Sequence, residues 1–306
     1  MQRYILTRIL YACVSLVLLS ITIFSLVRIT GDPAILMAEP GAKEEDLQAI
    51  RREFGLDKSY VVQYFSWVKS LVRGDFGKSI YYRIPALDLY LQRLPASILL
   101  AVAAMAISLI IGIPVGILSA VRVNTWFDNF GKIFAILGLS LPSFWVGLML
   151  ILTLSVYLSW LPSSGAESWK HLVMPAFSLG WVFTAAHMRL ARSAMLEVLG
   201  SEYVKLARIK GLSERLVIGK HAFKNAVIPV LTFAGINLVL MINVAIVVES
   251  VFAWPGIGRL LYEGISFRDF PVVQTVVLMG GVMVVVVNLI VDILYAYIDP
   301  RIRYGT

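Results

Sequence analysis

Charged positions in this chain come in blocks, not residue by residue. Six runs of 18 or more residues contain no Asp, Glu, Lys or Arg: 9–27, 94–121, 133–166, 171–188, 225–248 and 270–291. A helix rises about 1.5 Å per residue, so about 20 apolar residues cross the hydrocarbon core of a bilayer. In lipid, a continuous apolar segment satisfies its backbone only as a helix. The runs are too long and unbroken for barrel strands, which alternate over about ten residues. The pattern therefore predicts an all-α integral membrane protein with six transmembrane helices. The first run follows Arg3 and Arg8 as a signal peptide would, but Val27-Arg28-Ile29 is a poor cleavage site and the run exceeds a signal core of about 7–15 residues. It reads as a retained first span.

Composition turns this into two materials. Hydrophobic residues make up 59% of the 306 and charged residues 15%, against about 25% charged in a soluble domain. The six runs hold 145 residues, so all 46 charges fall in the other 161, at the density of an ordinary aqueous surface. Cys13 is the single cysteine, which excludes an intrachain disulfide and a cysteine metal site.

A net charge of +8 could point to nucleic acid, but in a membrane chain Lys and Arg gather on the cytoplasmic side. One face carries 14: Arg3, Arg8, Arg122, Lys132, the eight between 189 and 224, Arg301 and Arg303. The short connections on the other face carry Lys170, Arg259 and Arg268. Both termini are therefore expected in the cytoplasm, with no nucleic-acid partner.

Three parts follow: 1–30, tail and first span; 31–93, an exterior helical cap; 94–306, the remaining spans with a cytoplasmic loop at about 189–224. In the cap, Glu44–Phe54 and Ser59–Val72 have helical periodicity, and Arg73-Gly74-Asp75-Phe76-Gly77 reads as a turn. Trp254-Pro255-Gly256 reads as another turn, its aromatic suited to the membrane interface.

Catalytic and ion-binding candidates are few. Gly77-Lys78-Ser79 resembles the end of a phosphate-binding loop, but the required glycine five residues earlier is Val72. His171, His187 and His221 form no metal-spaced pair; His187, at the end of the fourth run, reads as a polar end-group. The centres of the runs carry no ionisable side chain, which disfavours an ion-coupled carrier, and Asp292 lies at the end of the last. Asn237 and Asn243 are candidate polar residues of a pathway, although amides in lipid more often bond between helices. No catalytic, cofactor or metal residue is expected.

The 189–224 segment predicts a helix that runs on from span four to Gly200, a short helix Glu202–Lys210 capped by Ser201 and ended by Gly211, and a third stretch from Ser213. The eight basic residues could line a lipid surface, but two short capped helices suit a compact knob for a protein pocket better.

Met195-Leu196-Glu197-Val198-Leu199-Gly200-Ser201-Glu202-Tyr203-Val204-Lys205-Leu206-Ala207-Arg208-Ile209-Lys210-Gly211, with His221-Ala222-Phe223-Lys224-Asn225-Ala226 and Ile228-Pro229, resembles the EAA loop of binding-protein-dependent ABC importer permeases, in the subfamily for dipeptides, oligopeptides, glutathione and nickel. Other tags follow in order: Gly31-Asp32-Pro33, Gly55-Leu56-Asp57, Gln63-Tyr64, Gly74–Ser79, Glu249–Gly258, Arg268-Asp269-Phe270-Pro271 and Asp299–Tyr304. Leu206 and Ile209 depart from the family pattern by making the helix greasier.

The resemblance implies a type I ABC importer permease fold in a bacterial or archaeal inner membrane. It implies that Glu202, Tyr203, Ala207, Arg208, Lys210 and Gly211 couple to a separate ATPase: Ala207 and Gly211 by allowing close approach, Arg208 and Lys210 by charge. ATP and Mg would bind two partner ATPase subunits, not this chain. The pathway would form with a homologous second permease and work by alternating access, and the exterior segments would receive a substrate-binding protein. Dipeptides or oligopeptides are the expected cargo; glutathione, nickel chelates and short oligosaccharides are alternatives. A secondary transporter or a membrane scaffold are the other classes.

Overall fold

The computed structural model describes residues 2–29, 34–35, 43–53 and 55–298. Gly31-Asp32-Pro33, Phe54 and Asp299–Tyr304 lie outside the described residues, as do the side chains of Ile50 and Asp292. The helices are α1 (Gln2–Ile29), α2 (Glu44–Glu53), α3 (Tyr60–Val72), α4 (Ala86–Val121), α5 (Trp126–Ser140), α6 (Ser143–Leu150, continued as a π-helix over Ile151–Tyr157), α7 (Lys170–Leu199), α8 (Glu202–Ile209), α9 (Glu214–Leu216, continued as a π-helix over Val217–Ala222), α10 (Phe223–Val244), α11 (Ile246–Val251), α12 (Ile257–Ser266) and α13 (Phe270–Ile298).

Among the described residues four segments are long and apolar enough to cross a membrane, Leu6–Ile29, Ala86–Val121, Glu214–Val244 and Phe270–Ile290, and the bent pair Trp126–Ser140 with Ser143–Tyr157 makes a fifth if counted as one span. The third run, read as one span, is bent. It breaks between Ser140 and Ser143, where α5 and α6 meet at 102°. Pro142 has no N–H to continue a helix, and the residue before a proline is pushed out of the helical region; Leu141 accordingly sits at φ −87°, ψ 123°.

Helix α7 holds the fourth run but is more polar than the others, for a packing reason. Ser178, Thr184 and His187 on it are buried, and the first two hydroxyls donate to carbonyls four residues back, at 2.8 Å each. Between packed helices in a membrane, Ser, Thr and His side chains find hydrogen-bond partners that lipid cannot supply.

The chain divides into two compact units. In the first, residues 1–95 and 256–306, α1 lies along α13, and Phe24 packs edge-on to Tyr64 at 5.5 Å and against Trp67 at 5.7 Å. The phosphate-loop look-alike is a clamp. Ser79 donates to the Asp269 carboxylate, which also accepts from the Tyr81 N–H at 3.1 Å. Two family tags 190 residues apart thus meet. Beside them the Tyr82 hydroxyl donates to Glu263 at 2.7 Å. Burial, and then the Glu263 carboxylate, push that hydroxyl's pKa up to about 12.

In the second unit, residues 96–255, α7 is the centre, packed by α5, α6 and α10. Helix α4 reaches it through Gly112 and Gly116, where an added Cβ would fall 3.0 Å from the Thr184 carbonyl oxygen and 2.4 Å from that of Met188. Trp254 is not an interfacial aromatic: it is buried, and its Nε1–H donates to the Ala96 carbonyl at 2.9 Å, because an indole needs one partner once enclosed. His187 is likewise not an end-group. It lies inside α7, fully buried, with Nδ1 2.7 Å from the Ser108 hydroxyl and its ring against Phe233.

Candidate coupling surface

The 189–224 segment folds as a knob at the end of α7. Gly200 closes α7, its N–H donating to the Leu196 carbonyl at 3.2 Å. Ser201 then takes the extended backbone of an N-cap, φ −72° and ψ 152°, but its hydroxyl donates back to the Val198 carbonyl at 2.6 Å instead of capping α8. At the far end of α8, the Gly211 N–H donates to the Arg208 carbonyl at 2.9 Å and the Leu212 N–H to the Ala207 carbonyl at 3.3 Å. This 5→2 and 6→1 pair requires a left-handed residue, and Gly211 supplies it at φ +77°.

Helix α8 is fixed by its inner face. Val204, Ala207 and Val217 are buried together, with Val198 and Leu199 packed on them. Ala207 therefore turns inward, where its small side chain lets α8 lie close to the π-helical part of α9. Arg208 is bidentate to Glu214 within the chain, at 2.8 and 3.3 Å, and that carboxylate raises its pKa further. Glu202 pairs with Lys205 at 2.8 Å. Tyr203 accepts a 2.8 Å hydrogen bond from the Asn225 amide. Lys210 is exposed and makes no ion pair among the described residues.

The outer face carries an apolar ridge beside the exposed Glu202–Lys205 pair. Ile209 is 80% exposed and Leu206 56%, and Tyr203, Leu212 and Leu216 are also exposed. The family pattern directed attention to charged and small positions, whereas the open surface is this ridge. Its signal was present: Leu206 and Ile209 fall three apart, on the face of a polar helix opposite Val204 and Ala207.

The two asparagines are elsewhere in the second unit. Each amide donates to its own helix four residues back, Asn237 to Phe233 at 2.9 Å and Asn243 to Val239 at 3.0 Å, and Asn237 is buried.

The sequence missed Asp128. It has no exposed surface, yet accepts from Arg192 at 2.8 and 3.0 Å, from Lys132 at 2.8 Å and from the Asn124 N–H at 3.1 Å. It ties the first turn of α5 to the end of α7 that carries the knob.

A family model described as binding-protein-dependent transport system inner membrane component matches residues 112–304. Its N-terminal companion matches residues 1–101. The glutathione transport system permease protein GsiC of Escherichia coli K12 is 38% identical over 305 residues, covering 99% of this chain and all of its own. The proteins of that name in Shigella dysenteriae and Salmonella paratyphi A match over the same span at the same identity. Among solved structures, an amino acid ABC transporter crystallised with histidines superposes with a TM-score of 0.57 at 14% identity. It covers 69% of this chain and 95% of its own, and shares the fold.

Proposed function

The chain belongs to the binding-protein-dependent transport system inner membrane components, and we propose that it is the permease half of a peptide importer whose 189–224 knob couples it to a separate ATPase. The observation that carries the coupling role is the exposed Leu206–Ile209 ridge on a helix whose inner face, ion pairs and C-terminal turn are already satisfied within the chain. A solvent-exposed apolar ridge on a braced helix fits a groove in a protein partner. Lys210 adds an exposed cation at its edge, and the Arg208–Glu214 pair holds the following turn in place.

In this reading six spans place both termini in the cytoplasm, and a homologous second permease supplies the other half of an alternating pathway. Two ATPase subunits bind ATP and Mg. A substrate-binding protein docks on the exterior face, where Tyr81 and Phe267 stack at 4.1 Å. The cargo is a small peptide: dipeptides and oligopeptides, with glutathione, itself a tripeptide, supported by the full-length likeness to GsiC.

The test uses the chain co-expressed with an ATPase, a second permease and a binding protein, reading ATP-dependent uptake of labelled glutathione and of a dipeptide. Combining Leu206→Asp with Ile209→Asp is expected to lower uptake at least tenfold and to stop the ATPase co-purifying, with the amount of chain in the membrane unchanged. Normal uptake and normal ATPase retention would remove the coupling assignment. A second variant separates positioning from contact. Arg208→Glu alone puts two carboxylates together and is expected to impair uptake. Adding Glu214→Arg restores the internal pair, and with it most of the activity.

A further inference from the structure

A cleft of about 940 Å³ opens between α5 and α7 in the second unit. One end is cationic, lined by Lys132, Arg189 and Arg192. From there it follows α5 through Ile136 to Ser140, eight residues or about 12 Å of helix. Its walls between those ends are apolar.

We propose that this cleft binds an anionic phospholipid, its phosphate on the cations and the start of an acyl chain along the α5 wall. Three observations point there. The first is depth: Lys132 is the last residue before the uncharged run 133–166, and Arg189 the first after 171–188. Both therefore stand where the spans leave the hydrocarbon, at the level of the headgroups. The second is charge: Asp128 faces Lys132 and Arg192 and cancels one of the three cations, leaving +2. Arg189 is exposed and makes no ion pair among the described residues. Lys132 and Arg192 are held in place by Asp128, so the site is formed before a ligand arrives. The third is the apolar wall, with Ile136 65% exposed. A small soluble anion would use the cations and leave that wall bare; a phospholipid uses both. Basic pockets between spans on the cytoplasmic side suit anionic headgroups. The inference rests on the membrane placement of α5 and α7, not on the coupling role of the knob.

The experiment is native mass spectrometry of the full chain with its co-purifying subunits, titrated with phosphatidylglycerol or phosphatidylcholine. Wild type is expected to bind one phosphatidylglycerol at least tenfold more tightly than phosphatidylcholine. Each cation near an anionic headgroup contributes about fivefold, so Arg189→Glu, which changes the local charge by two and leaves the Asp128 cluster intact, is expected to weaken phosphatidylglycerol about 25-fold. Ser193→Phe fills the cleft without altering charge and is expected to lose the same preference. Both positions are exposed, and unchanged elution on size exclusion confirms folding. Wild-type phosphatidylglycerol affinity in both variants overturns the proposal. So does displacement of the lipid by millimolar inorganic phosphate or glutathione, which would mark a small-anion site. A preference seen in the chain alone but absent from the assembled complex also overturns it, because a partner subunit would then cover the cleft.

Discussion

Replacing Gly116 with leucine is expected to leave no folded chain in the membrane fraction, whereas the same replacement at Gly235 lowers neither yield nor melting temperature. Both glycines lie in runs without charge, 94–121 and 225–248. At Gly116 an added Cβ would sit 2.4 Å from the Met188 carbonyl oxygen, 2.9 Å from the Ala191 Cβ and 3.1 Å from the Arg192 backbone nitrogen. Two of these three atoms are backbone, so no rotamer change relieves the clash and α4 must move off α7. In lipid, helices associate by close packing of small residues, not by hydrophobic exclusion of water. Separating α4 from α7 therefore removes the contact itself. Alanine at this position is expected to cost about 3 kcal/mol, the upper end for overpacking, and leucine more than the unit can absorb. At Gly235 nothing lies within 4 Å of the added Cβ, and alanine there gains about 1 kcal/mol of helix propensity. The measurement is fluorescence-detected size exclusion with a heating series on detergent extracts; equal melting of the Gly116 and Gly235 leucine variants would refute the packing account.

The same contact shows where a hydropathy reading stops. Runs without charge locate spans because lipid demands a uniformly apolar surface, and α1, α4, α10 and α13 follow them closely. The demand lapses where a helix is surrounded by protein. Helix α7 keeps Ser178, Thr184 and His187 for that reason, and its polarity hid its central position. Length alone also leaves the bend within 133–166 unmarked: Pro142 divides the run, and only its backbone chemistry signals it. Gly112 and Gly116 are four apart, the spacing of a close helix crossing, yet spacing does not name the opposing helix.

The knob was readable in outline because its signals are local. Gly200, Ser201 and Gly211 act on adjacent residues, and each marks a boundary that the structure reproduces. The roles of individual side chains were not readable, because they depend on what folds back onto α8. Val217 lies 13 residues after Val204 in the chain and makes Ala207 an inward residue. Glu214 takes the Arg208 guanidinium that sequence alone would offer to a partner. The tags at 74–79 and 268–271 show the same limit: their order identified the family, and only the fold shows that Ser79 and Asp269 bind each other.

Replacing Asp128 with alanine is expected to destabilise the chain by about 3 kcal/mol, and adding Arg192→Leu to recover most of that loss. The carboxylate has no exposed surface, and removing one partner of a covered ion pair costs about 3–5 kcal/mol because the other charge is left without compensation. The low end applies because Lys132 is 43% exposed and can turn to water. Arg192, 23% exposed, lies beside the Gly116 crossing and has less freedom, so its charge carries the penalty. Leucine in its place keeps the aliphatic stem in contact and removes the uncompensated cation. The double-mutant cycle should therefore show a coupling of about 2–3 kcal/mol, well outside the scatter of independent sites. Unfolding of the purified chain in mixed detergent, followed by tryptophan fluorescence, measures it. Additive effects of the two single replacements would show that the cluster merely covers Asp128, and that the end of α7 carrying the coupling knob is held to α5 by packing alone.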